Sequence, residues 1–182
     1  MFNVNFFAIA LTGLLALTAL TGCSTMKIQD YQNETPKLDL FGYFDGKTYA
    51  QGQFQDRTGK VIRRFTVDIT GTVEGNILTL DEQFVYNDDE KQQRIWRIEK
   101  TAENRFIGQA DDVIGEAKGE SAGNALNWRY TLDLPYNDST IHVNFDDWMF
   151  LHTEDTMMNI ASVTKWGFHV GQVTLFFNKK PL

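Results

Sequence analysis

From Thr48 to Phe177 the chain alternates apolar and polar residues in short runs, and nearly every run stops at a turn signal. Side chains along a strand point to opposite faces in turn, so this rhythm builds half-buried strands and leaves little room for a helix. Thr48–Phe54 and Val61–Ile69 flank Asp56-Arg57-Thr58-Gly59, which reads as a hairpin. Ile77–Tyr86 and Gln93–Glu99 flank the charged run Asn87–Lys91 in the same way. Arg105–Gln109, Val113–Gly119 and Ala125–Leu134 follow, then Thr140–Asp146 with a bend expected before Trp148–Leu151, then Met158–Lys165 and His169–Phe177. Beyond short turns at the amino end, no segment keeps a helical apolar spacing. The expected fold is all-β, a single antiparallel meander closed into a lipocalin-like barrel of about 8–10 strands, because closure removes the exposed edges of a long meander. A two-sheet sandwich is the alternative.

The amino end obeys different rules. An uncharged apolar run from Phe6 ends at Leu20-Thr21-Gly22-Cys23, which holds the only cysteine. The run is short for a spanning helix, which needs roughly 20 apolar residues, and it ends at small residues as a cleaved signal does. We expect a lipoprotein signal peptide with its helix over 1–22, Cys23 as the acylated residue, a lipidated tether over 23–38 and a β-barrel domain over 39–182. No Lys or Arg precedes the apolar run, a departure from the usual signal pattern. Acyl chains on Cys23 would make the membrane a partner, since each buried CH₂ contributes about 0.8 kcal/mol. Ser24 rather than Asp after the cysteine resembles the pattern sorted to the periplasmic face of the outer membrane. With its cysteine acylated, the mature chain keeps no thiol for a disulfide, so packing must hold it together.

The formal net charge is −7, and no charged residue lies before Cys23. An acidic domain of this kind argues against a nucleic-acid partner. Phosphate loops, dinucleotide fingerprints and Gly-x-Ser-x-Gly elbows are absent from the sequence, so it names no cofactor and no catalytic residue. His142-x-Asn144-x-Asp146 falls on one strand face, yet with no second histidine at ligand spacing it assigns no metal.

The carboxyl half is dense in aromatics. Leu126, Trp128, Tyr130, Leu132 and Leu134 share one face of their strand. Such a face either walls a cavity for an acyl chain or fills a solid core, and the sequence by itself favours the filled core. Gly115, Gly119 and Gly171 inside strand patterns mark bends or close approaches. In Asp146-Asp147 adjacent carboxyls must face opposite ways, so one turns inward and needs a partner, with Lys165, Arg94, Arg97, Arg129, Asn124 and Asn159 as candidates. An inward acid is either a general base or a structural clamp.

These pieces together, Asp112–Gly119, Gly123–Tyr130, Phe145–Met149, Asn159, Lys165-Trp166-Gly167 and Val170–Phe177, resemble the proteobacterial lipoprotein family DUF 3833 over nearly the whole mature chain. That family usually carries Phe where Trp166 stands. The resemblance implies a small all-β protein of lipocalin-like build, found beside genes for membrane fatty-acid modification and photooxidative stress response. It implies no activity. It marks Asn124, Trp128, Tyr130, Asp146, Asp147, Trp148, Asn159 and Lys165 as candidate ligand-binding or structural positions. The expected function is an envelope lipoprotein that binds or shuttles a fatty acid or similar apolar lipid, with a lipid-modifying enzyme or a filled-barrel assembly factor as alternatives.

Overall fold

A computed structural model describes residues 26–136 and 139–181. The expected signal segment and Cys23 lie outside them. Ten antiparallel strands form a closed barrel: β1 (Gly46–Asp56), β2 (Val61–Glu74), β3 (Ile77–Tyr86), β4 (Lys91–Ala102), β5 (Arg105–Gln109), β6 (Ala117–Ala122), β7 (Ala125–Tyr136), β8 (Ser139–Leu151), β9 (Thr156–Lys165) and β10 (Phe168–Asn178). Each strand pairs with its neighbour in sequence, and β1 closes on β10 from Tyr49↔Asn178 to Asp56↔Gly171. The meander, its closure and its strand number agree with the alternation.

Two boundaries differ from the sequence reading, each for a local reason. The strand expected from Val113 begins only at Ala117, because Gly115 takes φ +71° and the stretch before it crosses toward β7, where Val113 bridges Leu132. β8 runs through Asp146-Asp147 without a bend. The outward Asp146 accepts from Asn127 Nδ2 at 2.7 Å, and the inward Asp147 finds neutral donors, so neither acid interrupts the ladder.

Strand ends define two mouths of unlike character. At one, the short helix α1 (Leu40–Phe44) plugs the barrel with Leu40 and Phe44, and Phe44 meets Phe177 edge-on at 5.7 Å. Gly71 lets the plug approach: a Cβ there would collide with the Phe44 carbonyl oxygen. Lys179 Nζ donates to the carbonyls of Tyr43 at 2.6 Å and Asp45 at 3.1 Å, placing a cation at the carboxyl end of α1, where free carbonyls collect negative charge. From Met26 on, the segment read as a tether is packed on the outside at this same end. Ile28 is buried with Ala125 and Trp148, Tyr31 tilts against Trp148 and Phe150, and the Leu38 N–H donates to Gly123 O at 2.8 Å. Two apolar side chains in a polar stretch suffice to dock it, which an apolar period would not reveal.

The plugged half of the interior holds the most deeply buried side chains. Val67, Ile69, Leu78, Leu126 and Met157 are all 2 % exposed or less. Trp128 lies flat across Gly108 and Gly119, and a Cβ on either glycine would enter its indole ring. Gly119 is therefore a seat for an aromatic rather than a barrel corner. Replacing Gly119 by Ala should displace Trp128 and destabilise the fold by about 1–3 kcal/mol, the usual cost of overpacking, read as a lower denaturation midpoint at unchanged slope.

Candidate functional site

The interior holds a cavity of about 730 Å³ whose lining runs from Leu40 and Phe44 of the plug to the other mouth. Its far wall is thin and aliphatic, with Leu132, Val143, Val163 and Val173, and Phe54 and Phe65 close its near side. The Leu126, Trp128, Tyr130, Leu132, Leu134 face of β7 points inward as the alternation requires. Aromatic packing fixes the cavity floor: Trp96 meets Trp128 at 6.0 Å and Tyr130 at 5.5 Å, both edge-on, while Tyr130 stacks on Phe145 at 4.9 Å. Edge-on and offset contacts are the favoured aromatic geometries, and they hold the Tyr130 ring in one place.

Polar groups interrupt this apolar surface at one level. Asp147 is 5 % exposed and accepts from Tyr130 Oη at 3.2 Å and from the Asn159 Nδ2 amide. Asn159 also donates to Trp148 O at 3.3 Å, which ties β9 to β8 behind the acid. On the other side Glu82 of β3 stands directly across from Arg94 of β4. Arg94 forms an ion pair with Asp112, which the crossing loop carries inward. Nearer the mouth, Arg63 lies over the Tyr86 ring at 3.5 Å and pairs with Asp88 at 3.2 Å and with Glu90.

Burial pushes the Asp147 carboxyl up to about 7, since the hydrogen bonds from Asn159 and Tyr130 only partly offset desolvation and Asp146 adds to it. Glu82 lines the cavity and is partly accessible from it. Burial raises it to about 7 as well, opposed by Arg94 and reinforced by Asp112 and Asp147. Burial and the nearby Asp147 charge hold the Tyr130 hydroxyl well above its usual range, so it stays a donor. Arg94 remains charged: desolvation works against the cation, and Glu82 and Asp112 outweigh it.

Of the eight positions singled out from the sequence, Trp128, Tyr130, Asp147 and Asn159 converge in the cavity. The other four lie elsewhere. Asp146 is outside, 3.4 Å from Arg129 Nε; Trp148 is buried under the amino-terminal segment; Asn124 donates to Leu151 O at 3.1 Å at the plugged end; Lys165 sits over Trp166 at the rim, 4.4 Å from its ring centre. His142 and Asn144 are outer-face residues beside Asp133 and Thr131. Among the described residues no three His, Cys, Asp or Glu side chains converge as a metal site, and no helix is long and apolar enough to cross a membrane. Sequence reasoning missed Glu82, which shares a face with Leu78, Leu80 and Phe84, and Asp112, which reaches inward from a loop.

The fold and interior define a ten-stranded closed barrel with one plugged end and an apolar cavity crossed by a small acid and arginine cluster. The chain belongs to the family described as a protein of unknown function (DUF3833), whose model matches residues 17–179. No curated protein matches the sequence. Among solved structures it is similar to the S-type phycobiliprotein lyase of Guillardia theta, with a TM-score of 0.59 at 9 % identity over 87 % of this chain and 99 % of that one. It is also similar to a DUF3598 protein of unknown function from Nostoc punctiforme, with a TM-score of 0.57 at 10 % identity over 81 % of this chain. This chain spans 51 % of that protein's length. At these identities the likeness shows the fold.

Two interior carboxyls near 7 fix the sign of the pH dependence. Between their ordinary values of 3.8 and 4.5 and about 7, the unfolded chain has released both protons while the folded chain keeps them. The folded state then binds more protons, so stability falls as pH rises through this window and levels off above it. We expect unfolding free energy to drop by about 3–5 kcal/mol from pH 5 to pH 8, and Glu82→Gln or Asp147→Asn each to remove about half of that slope in denaturant titrations.

Proposed function

We propose that this protein is a lipid-anchored envelope protein whose barrel binds and shuttles an apolar, lipid-like small molecule with an alkyl chain. One observation carries the reading: an apolar cavity of about 730 Å³ with a few polar side chains gathered at one depth. Small-molecule sites commonly have volumes of roughly 300–1,000 Å³, apolar walls and a small orienting polar set. Burial of an alkyl chain against the valine wall supplies affinity at about 25 cal/mol per Å². The phycobiliprotein lyase named among the similar structures supports a small-ligand role through shared architecture alone.

An anchor at Cys23 fits a shuttle. Ile28 docks at the plugged end, and five residues reach at most about 18 Å even when fully extended. That end would rest near the membrane, and the cavity would open away from it. Trp166 and Phe168, 84 % and 74 % exposed, flank the opening.

A second reading, an enzyme of lipid modification, draws on Asp147, whose carboxyl near 7 is tuned for proton transfer. Asp147→Asn should then abolish turnover of a bound lipid while leaving its binding in place. For the binding reading, organic extraction of the purified chain followed by mass spectrometry should yield an apolar species at close to one per protein. Ala161→Phe, which fills the cavity from its wall, should lower that yield at least about ten-fold without lowering the melting temperature. An empty wild-type protein would end the proposal.

A further inference from the structure

The two arginines that line this cavity are each committed to carboxylates, and one cavity acid is not matched in this way. Arg94 and Arg63 are the cations that line it among the described residues, and each is ion-paired through Nη2, Arg94 with Asp112 and Arg63 with Asp88 and Glu90, while the Nε of each is buried without a partner. Tyr86 gives its hydroxyl proton to Gln92, and Tyr130 gives its own to Asp147. Asp147 receives only the neutral donors Tyr130 and Asn159. Glu82 has no hydrogen-bond partner among the described residues, although it faces the void directly across from Arg94.

A ligand carboxylate brought to this depth would meet Glu82, with Asp147 within electrostatic reach, and no unpaired cation. Like charges interact strongly where water is excluded, so that arrangement is unfavourable. A protonated amine would instead find an unpartnered acid below an apolar shaft. On the lipid-binding reading of the cavity, we propose that the ligand is an amphiphile with a primary-amine head, its ammonium seated on Glu82 and its chain lying along the Val143, Val163 and Val173 wall toward the mouth. Arg94 keeps a separate task here. Held by Asp112 through Nη2, it offsets part of the acid charge at this depth.

Three soluble probes that differ only at the head, decylamine, decanol and decanoate, separate the possibilities. Each would be titrated at pH 8 against a neutral fluorescent naphthylamine bound to the full chain in mild detergent, with detergent alone as the blank. Decylamine should displace the dye at least about ten-fold more tightly than decanoate. Glu82→Gln should erase the advantage of the amine over decanol and leave decanol unchanged, which also certifies that the variant is folded. Decanoate equal to or tighter than decylamine, or an amine preference that survives Glu82→Gln, overturns the head-group assignment while decanol binding keeps the lipid cavity. If neither dye nor any probe binds, the cavity reading fails and this assignment with it.

Discussion

The pairing of β1 with β10 is the constraint on which everything else in this protein rests. Without it the meander is an open sheet with two unpaired edges and one apolar face exposed to water. Closure turns that face into an interior and fixes which side chains share it. Chain entropy opposes joining strands so far apart in sequence, so the seam must be well made. At its lower end Phe177 of β10 packs against Phe44 of the plug, and Lys179 just beyond β10 holds the plug's carbonyls. Seam and plug thus form one structure.

A closed interior changes what its polar groups mean. On the outer face Arg129 and Asp146 are exposed, where an ion pair contributes little. Inside, the same residue types are desolvated, and each must be paired or shift its protonation. Both responses occur at one level of the barrel: Arg94 pairs with Asp112, while Glu82 and Asp147 move toward neutrality. Aliphatic residues at these positions would avoid the desolvation cost. Side chains that lower stability while lining a cavity are what a site for recognition or proton transfer requires.

The alternation made most of the barrel legible, because the two-residue period of a strand is set by geometry and survives any packing detail. It assigned the inward face of β7 residue by residue and showed that one of Asp146 and Asp147 must turn in. It also contained Glu82, on the face of Leu78, Leu80 and Phe84, but a charged residue in an alternating run passes for a solvent position unless faces are counted one by one. Asp112 was beyond the rule, since a loop has no period. The docking of Ile28 and Tyr31 was equally hidden, resting on contacts with Trp148 and Phe150 from a distant hairpin. Four of the eight marked positions are held at the outer face, the turns or the rim by such particulars, which no spacing encodes.

Whether the barrel is filled or hollow depends on how side-chain volume is distributed along the axis. Leu126, Trp96, Trp128, Met157 and Phe177 load the plugged half with large residues, and Gly108 and Gly119 are spent on fitting one indole. The opposite half is walled by Val143, Val163, Val170 and Val173, each too short to reach across. Barrel diameter is set by strand number and tilt and cannot contract locally to close the gap. Protein interiors elsewhere are packed to crystal density, so an apolar space of this size persists only because the surrounding strands hold it open. The polar cluster sits where the two halves meet. This step in side-chain volume, more than any single residue, gives the cavity its direction.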